Sequence, residues 1–152
     1  MKQKTLQIEI PNGYEIDSID KQSGEVKLKE KPVTALIRIK TVADVLNDHS
    51  ITQEQFDTSC KGLEPDEVAY RLLKLIAKSL NEGWTPDWDD EDQYKYYPWF
   101  YLGGSSGFRF DDYGSWGARS AVGSRLCFKN NELATYAGNQ FSDVYKQFMI
   151  IK

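Results

Sequence analysis

The residues able to do chemistry in this chain are few and scattered. Gly103-Gly104-Ser105-Ser106-Gly107 fits the G-x-S-x-G pattern of serine hydrolases. That chemistry needs the serine on a strained turn between a strand and a helix, with an acid and a histidine later in the chain. Here Phe108-Arg109-Phe110 reads as strand, and the single histidine, His49, lies upstream. The pattern is therefore read as a hairpin loop. It also lacks the Gly-Lys-Ser/Thr ending of a phosphate-binding loop.

His49, Cys60 and Cys127 supply the residue types for a thiol nucleophile and its base. Such a pair must lie within hydrogen-bond reach, with a third group orienting the base. Cys127, between Leu126 and Phe128, reads instead as a small packed thiol. Asp87, Asp89, Asp90, Glu91 and Asp92 form an acidic run. A calcium loop needs Gly at its sixth position and Glu at its twelfth. Counted from Asp87 these are Asp92 and Pro98, so the run reads as a solvated turn. No catalytic set is complete, and no metal or cofactor is expected. The enzymatic alternative is a non-standard carboxylate site using Asp87, Asp89 or Asp111.

The densest feature is aromatic. Gly83 to Trp116 holds all four tryptophans and the run Tyr94-Lys95-Tyr96-Tyr97-Pro98-Trp99-Phe100-Tyr101. Period-2 alternation puts Tyr94, Tyr96, Phe100 and Leu102 on one face of a strand, and Lys95, Tyr97, Trp99 and Tyr101 on the other. The first set is the core candidate, because the second contains a lysine. Pro98 has no N–H for a ladder, which places the strand at an edge or a bulge. Tyr97, Trp99 and Tyr101 are thus the candidate partner-binding residues, with Arg109 and Arg119 at their rim. Exposed aromatics beside arginines are what binding hot spots favour.

The elements that must position this strand are legible in outline. Leu6, Ile8 and Ile10 alternate with polar residues as a strand, Asn12-Gly13 signals a hairpin, and Val26 and Leu28 mark a further strand. Together they predict a front meander with one wet face. Leu36 to Ile39 is open between strand and helix. Thr41 with Asp44, and Thr52 with Gln55, are helix starts of the capping-box type. Pro65 to Glu82 is a helix with Val68, Leu72, Leu75, Ile76 and Leu80 on one face and Gly83 as its stop. Gly83 and Pro86 make a tight exit over which Trp84 and Trp88 close as structural residues. Phe108 to Asp111 and Val122 to Phe128 are candidate strands. Asn131 to Phe148 closes the chain as a helix with Leu133, Ala137, Phe141, Val144 and Phe148 in its stripe. Gly138 inside it implies close approach of another element.

Composition bounds the function. At 152 residues, 40% apolar and 28% charged, the chain is the size of one ordinary globular domain. The order of elements predicts a single α+β domain, an antiparallel sheet with helices mainly on one face. A net charge of −4 disfavours a general nucleic-acid binder. Two distant cysteines suit free thiols in a reducing compartment. With no apolar leader pattern and no membrane-length apolar run, a cytoplasmic location without membrane association is expected.

Three blocks carry a resemblance. They are Leu80-Asn81-Glu82-Gly83-Trp84-Thr85-Pro86-Asp87-Trp88; Gln93-Tyr94-Lys95-Tyr96-Tyr97-Pro98-Trp99-Phe100; and Gly123-Ser124-Arg125-Leu126-Cys127-Phe128-Lys129 with Glu132-Leu133-Ala134-Thr135-Tyr136-Ala137-Gly138. They resemble recurring blocks of a family of small proteins from gut bacteria of the Bacteroides type and their phages and prophages. No activity is established for that family, so the resemblance implies no site residue. It implies a small, phage-related cytoplasmic protein. The expected function is a non-enzymatic binding or accessory module of a mobile element, with a protein or small-molecule partner. Nucleic-acid binding and the carboxylate enzyme are the alternatives.

Overall fold

The computed structural model describes residues 7–30, 34–104 and 107–151. The described residues form a mixed α+β fold of helices and two antiparallel two-stranded ribbons. The chain divides into two compact units, 1–34 and 35–152.

The first unit is a hairpin of β1 (Tyr14–Ile19) and β2 (Val26–Glu30), with a bulge between Ile16 and Ser18. Asp20 closes its turn by accepting from the N–H groups of Gln22 and Ser23, and Gly24 supplies a φ of +75°. The strand expected over Leu6 to Ile10 is not present at Ile8 and Ile10, which lie exposed without ladder partners; Leu6 falls outside the described residues. Asn12-Gly13 does turn, with Tyr14 donating to the Pro11 carbonyl at 3.1 Å, but among the described residues no strand precedes it to pair. Nor is only one face wet: Tyr14, Ile16, Ile19 and Leu28 are all exposed.

The second unit begins with α1 (Ala35–Arg38), so the ambiguous 36–39 segment is helical and ends on the buried Ile39. Then come α2 (Val42–Asp48), α3 (Gln53–Ser59) and α4 (Pro65–Asn81). Thr41 and Thr52 each close a reciprocal capping box, with Asp44 and Gln55. The Thr41 hydroxyl, with the Lys40 and Thr41 N–H groups, holds the Asp44 carboxyl below its usual range. α4 stops where Glu82 and Gly83 turn left-handed, at φ +49° and +85°. Its fully buried stripe is Ala69, Leu73, Ile76, Ala77 and Leu80: Ile76 and Leu80 are as expected, while Ala69, Leu73 and Ala77 are buried in place of the expected Val68, Leu72 and Leu75. Val68 and Leu72 face a second cluster built on Leu46, Phe56 and Cys60. α4 is thus wedged between two cores, which a single-stripe reading does not anticipate.

β3 (Lys95–Tyr101) and β4 (Arg109–Trp116) form the second ribbon, running from Lys95↔Trp116 to Tyr101↔Arg109 with a bulge between Trp99 and Phe100. The expected third strand over 122–128 does not form. Ser120 accepts from the Val122 and Gly123 N–H groups and Gly123 takes φ +69°, so the segment turns. Only Phe128 reaches the ribbon, through a two-way bond with Tyr96 at 2.7 and 3.0 Å.

The closing helix is broken into α5 (Asn131–Gln140) and α6 (Ser142–Met149) at Phe141, whose ψ of 28° departs from helical values. The break turns Tyr145, rather than Val144, fully into the core. α5 lies across the inner face of the ribbon, where Phe100 packs on Phe108 and Tyr145 with ring centroids 4.9 and 4.8 Å apart. A Cβ on Gly138 would collide with the Phe110 ring and fall 2.9 Å from the Pro98 Cβ, so the glycine does serve a close approach.

Candidate binding face

Strand alternation divides β3 as its pattern implies, with two corrections. Tyr96, Pro98 and Phe100 point inward against α5 and α6, and Phe100 is buried. Tyr94 and Leu102, assigned to the core, lie just outside the strand ends and are exposed. Lys95, assigned to the open face, is only 1% exposed. The 87–92 turn folds over that end of the ribbon. The Lys95 ammonium donates to the Asp90 carbonyl at 2.9 Å and sits 5.2 Å from the Trp88 ring centre. Gly117 lets the Glu91 carbonyl come so close that any Cβ there would collide with it.

Beyond Lys95 the outer face opens. Trp99 is 53% exposed and Tyr101 45%, while Tyr97 is half-buried. Tyr97 lies along Gly114, its register partner, where a side chain would meet the ring at 2.6 Å. Trp99 stands opposite Asp112 and 6.2 Å from Tyr97, centroid to centroid. At the far end the Arg109 guanidinium stacks 4.4 Å above the Tyr101 ring and pairs with Asp111 at 3.8 Å. Arg119 is at the other end, beside Trp116, Gly117 and Glu91. The two arginines therefore bracket the aromatic stripe; the strand between them spans roughly 20 Å at a β rise of ~3.3 Å per residue.

An apolar groove of about 350 Å³ adjoins this face, with Tyr97, Pro98, Trp99 and Phe100 on one side and Tyr70, Val122, Phe148 and Met149 among the residues opposite. Its β3 wall is an open strand edge. Among the described residues the edge is bridged only at Tyr96, and Pro98 lacks the N–H that would continue the ladder. Tyr70 and Phe148 stack at 5.8 Å to form the opposite wall. In the sequence they read as helix residues only, because nothing local ties residues 70, 122 and 148 together.

The other residues of chemical interest are held in structural roles. His49 Nε2 lies 3.1 Å from both the Leu75 carbonyl and the Ser79 hydroxyl, tying α2 to α4. Cys60 and Cys127 are both buried free thiols. Burial pushes the Cys127 thiol up from 9.0 to about 11, far from a thiolate nucleophile at neutral pH. The acidic run is a set of local turns: Asp87 accepts from Asp89, and Asp90 from Asp92 and Gln93. No group of three His, Cys, Asp or Glu side chains suited to a metal occurs among the described residues. Ser105 and Ser106 lie outside those residues, but strand β4 follows the loop, where a hydrolase elbow requires a helix. Trp84 and Trp88 flank the exit of α4 and are half-buried; the Trp88 indole donates to Ser124 at 2.7 Å. No described helix is long and apolar enough to cross a membrane. No family model, curated protein or solved structure matches the chain.

Proposed function

We propose that this protein is a non-enzymatic binding module that engages its partner through the outer face of the second ribbon and the groove beside it. The observation that carries the reading is the exposure of Trp99 and Tyr101 next to an apolar groove on an open strand edge. Large rings left open in a chain with a well-filled core are typical of contact surfaces. An extended apolar segment of a protein partner suits the groove, where alternate side chains can seat between the β3 rings and the Tyr70–Phe148 wall. The test is affinity capture from an extract of the source cells, comparing the native chain with Trp99→Ala, Tyr101→Ala and the remote surface change Glu54→Ala. A partner held by the native chain and Glu54→Ala, and lost by both aromatic variants at unchanged circular dichroism, supports the reading. Equal capture by all four removes it.

A further inference from the structure

A second cleft, away from the aromatic face in its lining residues, has a different chemistry. It encloses about 450 Å³ between the C-terminal half of α4, the turn at Gly83–Pro86 and the Ser124-Arg125 segment. Lys74, Lys78 and Arg125 line it, with the Trp84 ring, and no carboxylate does. The chain as a whole carries more acid than base, so three cations around one cleft run against its composition.

The neighbouring acids are committed elsewhere. Glu82 reaches Arg38 and Lys129, at 3.7 Å each, and Asp87 accepts from the Asp89 N–H. Lys74, Lys78 and Arg125 form no ion pair among the described residues. The Lys74 ammonium is engaged over the Tyr70 ring, 4.9 Å from its centre, which leaves Lys78 and Arg125 as the cations open to the cleft. The walls, by contrast, are fixed. The buried Asn81 amide donates to the Cys127 carbonyl at 2.8 Å and accepts from the Lys129 N–H at 3.0 Å, locking the end of α4 to the 127–129 segment. The Trp88–Ser124 bond holds the opposite side.

From this arrangement we infer that the cleft binds a nucleoside phosphate, its base against Trp84 and its phosphate between Lys78 and Arg125. Ring stacking and cation contacts are the two terms that recognise such a ligand. The volume falls in the range of small-molecule sites. The cleft has one ring wall and one cation cluster, which suits a single nucleotide better than a strand needing successive platforms.

The probe is adenosine 5′-monophosphate, titrated into the full chain by calorimetry. Saturable binding with Kd below about 1 mM is expected, weakening as salt rises. Adenosine and ribose 5-phosphate should each bind about tenfold or more weakly than the nucleotide, since each keeps one of the two terms. Lys78→Glu with Arg125→Glu, both exposed side chains, should weaken binding about tenfold or more with the circular dichroism unchanged. Trp84→Leu tests the stack, and the two ligand fragments test it independently if that variant does not fold. Absence of binding at millimolar nucleotide overturns the inference. So does ribose 5-phosphate binding as well as the nucleotide, insensitivity to the double charge reversal, or a ten-nucleotide thymidine strand binding far more tightly than the mononucleotide. The mononucleotide outcomes do not bear on the aromatic face.

Discussion

Gly138→Ala sets two known effects against each other at one atom. In an exposed helix the change gains about 1 kcal/mol, because alanine loses less backbone entropy than glycine. At Gly138 the new methyl would collide with the Phe110 ring and meet the Pro98 Cβ at 2.9 Å, well inside ordinary contact. Neither neighbour can easily give way. Pro98 is fixed by its ring and by its place in β3, and Phe110 packs edge-on against the buried Phe100 at 6.0 Å. Overpacking of this kind costs about 1–3 kcal/mol or more, and a contact with two constrained groups belongs at the upper end. The net expectation is a loss of about 1–2 kcal/mol, or roughly 2–8 °C in Tm for a chain of this length. Chemical denaturation followed by circular dichroism measures it. The double variant Phe110→Leu with Gly138→Ala isolates the cause: the alanine should cost less in the leucine background, because the obstructing ring is gone. A Tm that rises in the single variant, as helix propensity alone would give, refutes the close packing of α5 on the ribbon.

Lys95→Ala should destabilise by about 2–4 kcal/mol, since it empties a buried site and leaves the Asp90 carbonyl without its donor; Lys95→Met, which keeps the stem volume, should cost about half as much, and a loss under about 0.5 kcal/mol for both in urea titrations would show the lysine to be solvated. Raising the pH should destabilise the fold between about 9 and 11. Burial holds the Cys127 thiol protonated to about 11 and the Tyr145 phenol still higher, so the stability these groups lend is complete below their ordinary values and lost as the pH climbs through the folded ones. Thermal melts across that range should show a shallower decline in Cys127→Ala; identical slopes would mean that the thiol is open to solvent.

What the sequence could reveal here tracks how local each determinant is. The two capping boxes at Thr41 and Thr52 and the left-handed stop after Asn81 are decided within four residues, and the structure has them where the pattern puts them. The break at Phe141 is different. Ala137 and Tyr145 keep one i→i−4 run through it, at 3.0 and 3.2 Å, so nothing in the local pattern signals a stop. The bend follows from packing Phe141 and Tyr145 into the same core beside Phe100. The 122–128 segment fails as a strand for a similar reason. Leu126, Cys127 and Phe128 are buried as required, but Asn81 takes the Cys127 carbonyl and the Lys129 N–H, the groups a neighbouring strand would use. Likewise no spacing rule links Lys74 and Lys78 with Arg125 across half a helix and a turn.

Lys95 and Trp99 show the limit of a charge-based argument about strand faces. Both point to the same side of β3, and a lysine on that side argues that the side is wet. The inference holds at Trp99 and fails at Lys95, because exposure of a ribbon face depends on what lies above each position. The 87–92 turn supplies a carbonyl acceptor and an indole face above Lys95, enough to bury the ammonium with a partner. No element of the second unit covers Trp99, and the bulge beside it increases the local twist of the ribbon. A two-stranded ribbon has only two faces, and α5 takes one of them. Closing the remaining stretch of the other would need a further layer that the second unit does not supply, and that uncovered stretch is why Trp99 and Tyr101 stay exposed while Lys95 does not.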